Sequence, residues 1–305
     1  MNVDEVGWLA SRMPCAGLRS TFRGRRRETA AMSDRVLISV ADGIADVKFN
    51  RPDKRNALDN AMFSAIADAG ERMKVEPNLR AVVLSGEGAS FCAGLDFAVF
   101  QTFNDGSAVT DTGATDADPG FGAMKEGRIT HLAQQVCWVW QEVPVPVIAA
   151  VHGHALGGGL QIALGADIRI VHPDTKLSVR EVFWGLVPDM TGTFRLSSIV
   201  RPDVAKELTF TARLFSGAEA AEMGIATRTS DQPYDDSMAL AREIASRSPT
   251  AVRGSKELFN RLSSVGAAEQ FAAERRVIAE QIGSRNQIEA VEASFANRPP
   301  KFTDS

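Results

Sequence analysis

Hydrophobic and polar residues alternate from Val36 to Phe49 on both sides of Asp42-Gly43, a pattern that predicts a β-hairpin. Apolar residues then recur at helical spacing from Ala61 to Met73, and Pro77-Asn78 breaks the run. Ala81 to Leu84 and Val145 to Val151 read as buried strands, and Ile129 to Gln141 as a helix carrying Trp138 and Trp140. Between them, Gln101 to Gly127 is rich in Gly, Thr, Asp and Ser and has no basic residue before Lys125, which predicts a mobile lid-like loop. A helix over Leu160 to Ala166 precedes two short strands, Ile168 to Val171 and Leu177 to Val179. From Asp203 the pattern is nearly all helical, punctuated by Ser248-Pro249 and Ser284-Arg285-Asn286. Alternating elements up to about residue 230, then helices, imply an α/β core with a helical tail. No internal repeat stands out in the pattern.

Two glycine-bearing turns follow the buried strands: Phe91-Cys92-Ala93-Gly94-Leu95-Asp96, and His154 to Gln161 with Gly157, Gly158 and Gly159. Glycine lets backbone N–H groups approach a ligand, and a helix N-terminus adds partial positive charge. Two such N–H groups aimed at one oxygen would form an oxyanion hole. Close helix–strand packing explains the triple glycine equally well when it is taken alone.

These turns belong to a longer series. Arg51-Pro52-Asp53-Lys54-Arg55-Asn56-Ala57-Leu58, Ala93-Gly94-Leu95-Asp96, Pro146-Val147-Ile148-Ala149-Ala150-Val151-His152-Gly153 and the triple glycine occur in that order. From about Asp34 to about Asn297 the chain resembles the crotonase superfamily, the enoyl-CoA hydratase/isomerase family. The resemblance implies a spiral of ββα turns with a C-terminal helical region that packs at a homotrimer interface, with trimers pairing into hexamers. It implies that the substrate is an acyl-CoA thioester, with coenzyme A as part of the substrate and no permanently bound cofactor. Leu95 and Gly158 would supply the oxyanion N–H groups. Arg55, Asn56, Ala57, Leu58, Cys92, Ala93, Gly94, Asp96 and Gly157 would bind substrate, with the nucleotide end near Arg55 to Leu58. Glu181 matches the family's second catalytic glutamate, which moves a proton at the substrate α-carbon. Its neighbours Val182, Phe183 and Trp184 should desolvate it and raise its pKa; the competing reading pairs a solvent-facing Glu181 with Arg180.

The chain departs from the family at Gln161, where hydratases carry their first catalytic glutamate and dienoyl-CoA isomerases an aspartate. An amide cannot take a proton at neutral pH. Hydration is therefore less favoured than double-bond isomerisation, in which a single glutamate removes a proton from C2 and returns it to C4. Asp189 matches an acidic residue of the dienoyl-CoA isomerases and is a candidate second proton carrier, or else a helix N-cap or turn residue before Met190-Thr191-Gly192. The alternatives are enoyl-CoA hydration and an acyl-CoA-binding protein with little catalysis.

The bulk numbers narrow the classes. Net charge is −4 over 305 residues, which gives no basic field for nucleic acid. No run of eighteen apolar residues exists, so no membrane span is expected. Cys15, Cys92 and Cys137 form no CxxC pair, which suits a reduced compartment with cytoplasm as the default. From Trp8 to Arg27 the chain holds six arginines and no acid, and residues 1–31 read as an extension ahead of the core, with a transit peptide as the competing reading. The expected division is extension 1–31, core 32–233 and helical oligomerisation region 234–305. Gly86-Glu87-Gly88 lacks the third glycine of a dinucleotide turn, no Gly-x-Ser-x-Gly elbow is present, and His152 and His154 lack accompanying metal ligands in sequence.

Overall fold

A computed structural model describes residues 35–99, 122, 124, 126–264 and 266–301. The expectations for residues 1–31 and for most of the 101–127 loop therefore lie outside the described residues. The predicted hairpin forms from β1 (Val36–Ala41) and β2 (Ile44–Phe49). Asp42 and Gly43 both hold positive φ, 53° and 77°, as a tight two-residue turn between twisted strands requires. Helix α1 (Asn60–Val75) follows, its first turn capped by Asp59, which accepts the Met62 N–H.

The chain then repeats a strand in a large sheet, a strand or bridge in a small one, and a helix. β3 (Ala81–Gly86) leads to the Cys92 bridge with Ala155 and on to α2 (Leu132–Glu142). β4 (Val147–Val151) leads to β5 (His154–Leu156) and α3 (Gly158–Gly165). β6 (Ile168–Val171) and β7 (Lys176–Ser178) lead through a 3₁₀ turn, Glu181–Trp184, to α4 (Gly192–Ile199) and α5 (Pro202–Thr211). β8 (Phe215–Ser216), α6 (Gly217–Glu222) and β9 (Arg228–Thr229) complete the spiral. The large sheet runs β1-β2-β3-β4-β6-β9, parallel from β2 onward, and the small one runs β5-β7-β8. This is the expected α/β spiral.

Helices on both faces explain why the parallel strands read as continuous apolar runs. One face packs into the main core with α1 to α3. On the other, Ile44, Val83, Ile148 and Ile170 meet Tyr234, Met238 and Ile244 of α7 (Pro233–Ala245). The remaining helices are α8 (Pro249–Ser263), α9 (Ala267–Gln281) and α10 (Arg285–Phe295). The last two pack back on the core, where Leu186, Ile278 and Val291 are buried together beside Leu95 and Trp184. Helix α3 starts at Gly158, ahead of the expected Leu160. β8 and β9 interrupt a stretch expected to be nearly all helical, because two-residue strands carry no periodicity. Among the described residues no helix is long and apolar enough to cross a membrane.

Candidate active site

A cavity of about 870 Å³ opens between the small sheet and the C-terminal helices. Its lining includes exposed Lys54, Arg55 and Lys176, with exposed Asp53 among them. Buried Phe63, Leu186, Met190 and Ile278 give it an apolar share.

The first glycine turn enters this cavity under tight backbone control. Gly94 has φ +90°, and a Cβ there would stand 2.6 Å from the Leu156 carbonyl oxygen, so only glycine fits. Leu58 N–H donates to Gly94 O at 2.8 Å and Asp96 N–H to Leu58 O at 3.0 Å. In this parallel bridge Leu95 therefore turns its own N–H away from Leu58. Asp96 anchors the turn through Arg51 at 2.5 Å, and Arg51 also donates to Ala57 O at 3.0 Å. Burial works against ionisation of Asp96, but the Ala98 N–H and Arg51 outweigh it and lower its pKa.

The expected substrate-binding residues divide here. Arg55, Ala57, Leu58, Ala93, Gly94, Asp96 and Gly157 line the cavity, as do Leu95 and Gly158; Asn56 and Cys92 do not. Asn56 is fully buried and its Nδ2 donates to Glu87 O at 3.0 Å and Ser90 O at 2.7 Å, so its side chain holds the scaffold. Cys92 is also fully buried, and burial pushes its thiol up to about 12.

The triple glycine serves packing and approach together. A Cβ on Gly159 would meet Cys92 O at 2.2 Å, which is the packing reading. Gly157 caps α3 with φ +51°, and Gly158 follows as its first residue. The Gly158 N–H thus belongs to the first helical turn, whose amides have no intrahelical acceptor.

Glu181 opens the 3₁₀ turn and is 8% exposed. Its Oε1 accepts the Gln161 Nε2 amide at 2.6 Å, whereas its Oε2 is buried without a hydrogen-bond partner. Burial pushes the carboxyl up to about 7. Of the residues expected to desolvate it, Val182 and Phe183 are themselves exposed, whereas Trp184 is half-buried and lines the cavity beside it. Gly157 also packs against the carboxylate: Oε1 sits 3.1 Å from where a Gly157 Cβ would stand. Arg180 does not pair with Glu181; it donates to Ala212 O at 2.8 Å and stacks 3.7 Å over the Phe183 ring.

Gln161 is 2% exposed and does not line the cavity. Its Oε1 accepts two backbone N–H groups, Met190 at 2.9 Å and Gly192 at 2.8 Å, so both ends of its amide are engaged. Asp189 lines the cavity, and burial followed by the negative charges of Glu181 and Glu274 raises its pKa to about 8. It is not the helix cap, which is Thr191, but it does stand in the turn that precedes α4.

Glu274 was not foreseen. It is 4% exposed, and burial raises its pKa despite hydrogen bonds from Thr193, Gln134 and Thr191. The available signal was its place on the buried stripe of α9 between Phe271 and Ile278. His152 and His154 turn to separate partners, Gly88 O and Ser90 Oγ, each at 2.9 Å.

The enoyl-CoA hydratase/isomerase family model matches residues 39–305. The mouse protein enoyl-CoA hydratase domain-containing protein 2, mitochondrial, is 31% identical over 304 residues, covering 96% of this chain and 97% of the relative. Mouse mitochondrial delta(3,5)-delta(2,4)-dienoyl-CoA isomerase is 30% identical over 87% of this chain and 80% of the relative. An enoyl-CoA hydratase/isomerase structure from Pseudoalteromonas atlantica superposes with a TM-score of 0.74 at 26% identity, covering 88% of this chain and 100% of that one. The chain belongs to the enoyl-CoA hydratase/isomerase family and has its crotonase fold.

Proposed function

We propose that this protein is an acyl-CoA-processing enzyme that moves a carbon–carbon double bond through an oxyanion-stabilised enolate, with Glu181 as the proton carrier. The observation that carries the reading is the division of labour within one carboxylate. Gln161 occupies Glu181 Oε1, and Oε2 is buried and unpartnered. Oε2 of ionised Glu181 removes a proton from C2 of a 3-enoyl thioester, and the electron pair moves onto the thioester oxygen. The N–H groups of Leu95 and Gly158 stabilise that oxygen; each such donor is typically worth ~10²–10³ in rate. The same Oε2 delivers the proton to C4 as the electrons return, which leaves the double bond between C2 and C3. Atoms and charge balance without water or a cofactor.

The raised pKa values suit this task. With Glu181 near 7 and Asp189 near 8, Glu181 is partly ionised at neutral pH and Asp189 largely protonated, so one can accept and the other release a proton within the same cavity. The exposed cations on the lining, Lys54, Arg55 and Lys176, suit the phosphates of coenzyme A. Asp189 also favours a second substrate, a dienoyl thioester whose proton travels farther along the chain, and relatives about as similar bear that isomerase name. Hydration is less well served, because a Gln161 amide engaged at both ends offers no base to activate water.

Ultraviolet absorbance with 3-enoyl-CoA tests the reading, with Glu181→Gln as control. A rising conjugated-enoyl signal that disappears in the variant is expected. Loss of conjugation from 2-enoyl-CoA instead would establish hydration, and tight thioester binding without turnover would establish a binding protein. The reading includes assembly as a homotrimer or dimer of trimers. Helix α8 leaves Leu258, Phe259 and Leu262 66–80% exposed, an apolar face suited to a second copy. Sedimentation equilibrium should give three or six times 32.8 kDa.

A further inference from the structure

Glu274 is a carboxylate that lies outside the cavity and has no role in the proton transfer described above. Removing a carboxylate from water is unfavourable unless hydrogen bonds replace the lost hydration. Two of its three bonds come from one turn and the third from α2. Oε2 accepts the Thr191 N–H at 3.0 Å and the Gln134 Nε2 amide at 3.1 Å, and Oε1 accepts the Thr193 hydroxyl at 2.6 Å. Gln134 is itself held by Phe271 O at 3.0 Å and Arg275 Nη1 at 2.7 Å.

The turn that Glu274 grips is conformationally demanding. Thr191 has φ 68° and ψ 7°, the left-handed region that β-branched residues rarely occupy. The amides on either side of it, Met190 and Gly192, are the two that hold Gln161 Oε1. Three successive N–H groups thus serve two acceptors: the outer two face Gln161 and the middle one faces Glu274. Space enforces the arrangement, since a Cβ on Gly192 would stand 2.3 Å from Gln161 Oε1. Without Glu274 the Thr191 N–H would be a buried donor lacking its acceptor, and the turn would lose a restraint on its left-handed residue.

We propose that Glu274, on the penultimate helix, is a positioning residue for the proton carrier. It fixes the Met190–Gly192 turn, the turn fixes the Gln161 carbonyl, and the Gln161 amide is thereby presented to Glu181 Oε1 so that Oε2 remains unpartnered. This rests on the proton-transfer reading of Glu181, and it assigns a function to a residue that touches no substrate.

Two variants test it. In Glu274→Ala the Thr191 acceptor is gone. In Glu274→Gln the side-chain carbonyl can still accept the Thr191 N–H, while the Thr193 hydroxyl can accept from the new amide. Crystal structures of both are compared with kinetics on 3-enoyl-CoA. For Glu274→Ala a Gln161 amide displaced from Glu181 is expected, with kcat about 10- to 100-fold lower and KM little changed, the size of loss a small misplacement of a reacting group produces. Glu274→Gln should keep the Gln161–Glu181 contact and recover most of kcat. Its pH profile should still shift: removing the negative charge favours ionised Glu181, so the acidic limb moves to lower pH. That shift separates positioning beside a titrating group from simple support of the fold.

A Glu274→Ala protein with unchanged kcat and an intact Gln161–Glu181 contact would overturn the proposal, as would variants that lose activity only through KM. If Glu274→Ala does not fold, Thr193→Val replaces it, removing one of the three bonds. A smaller kcat loss is then expected, and unchanged kcat and geometry would overturn the proposal. If the wild type turns over no thioester while Glu274→Ala still displaces Gln161, the positioning role stands and the proton-transfer reading falls.

Discussion

On one wall of the cavity, Asp96 faces the Arg51 guanidinium at 2.5 Å and accepts the Ala98 N–H at 2.9 Å, so its carboxylate is held ionised. On another, Glu181 has an uncharged amide at Oε1 and no hydrogen-bond partner at Oε2, the negative charge of Glu274 lies nearby, and Asp189 shares the cavity. The contrast lies in the partners rather than in the residue type. A cation beside a carboxylate makes an anchor that ignores pH near neutrality, whereas burial without a cation makes a group that titrates there. The wall carrying the expected Leu95 donor thus holds a fixed charge, and the other a carboxyl that burial moves toward neutral pH.

The strongest break in this comparison is Glu181→Gln, which removes the titrating group and keeps its shape. Turnover should fall by about 10²–10⁴, with the fold intact by circular dichroism. Next comes Gln161→Glu, which places a carboxylate where the amide donates to Glu181 Oε1. The new side chain can still accept the Met190 and Gly192 amides, but like-charge repulsion should raise the Glu181 pKa further. Isomerase turnover at neutral pH should drop about tenfold, and any gain in hydration would be read in the 2-enoyl-CoA assay.

Smaller effects should appear in stability rather than rate, and with opposite pH dependence on the two walls. Asp96→Asn removes the charge paired with Arg51, whose side chains are only 14% and 12% exposed. A loss of about 1.5–3 kcal/mol in urea unfolding is expected at neutral pH. Because the folded-state pKa of Asp96 is lowered, this difference should shrink as pH falls through its titration. Asp189→Asn should act in the other direction. Its pKa rises from 3.8 to about 8 on folding, so the folded state binds the extra proton between those values. The wild type therefore loses stability as pH rises through that window. The variant should melt higher than wild type at pH 8, by about 2–4 °C per kcal/mol recovered, and not at pH 4. A Tm difference that did not change with pH would mean that Asp189 is not the group titrating there.

The spiral and one half of the site were legible in the sequence, for physical reasons that the other half lacks. The 36–49 hairpin announced itself by alternation around Asp42-Gly43, and Gly94 is required by a close backbone approach. Such local demands leave residue-specific marks. Asn56 and Cys92 were drawn into the substrate set by their place in motifs, yet their side chains turn into the interior, and a motif position does not state which way a side chain points. Desolvation of Glu181 is expected from its sequence neighbours, but Val182 and Phe183 are exposed, and Gly157 and Gln161, some twenty residues earlier, stand against its carboxylate. Glu274 lies farther still from the residues it serves, and a single acidic residue in an amphipathic helix carries no mark of the turn it will hold.

The last two helices complete the cavity: Ile278, Ile282 and Phe295 line it, and a Cβ on Gly185, which ends the Glu181 turn, would lie 2.8 Å from Gln287 Cα. During synthesis a chain leaves the ribosome N-terminus first, at roughly 5–20 residues per second. Both glycine turns and Glu181 therefore emerge on the order of ten seconds before Phe295. Over that interval the Met190–Gly192 turn lacks Glu274, the acceptor of its middle N–H, and the hollow lacks the part of its lining that Ile278 and Phe295 supply.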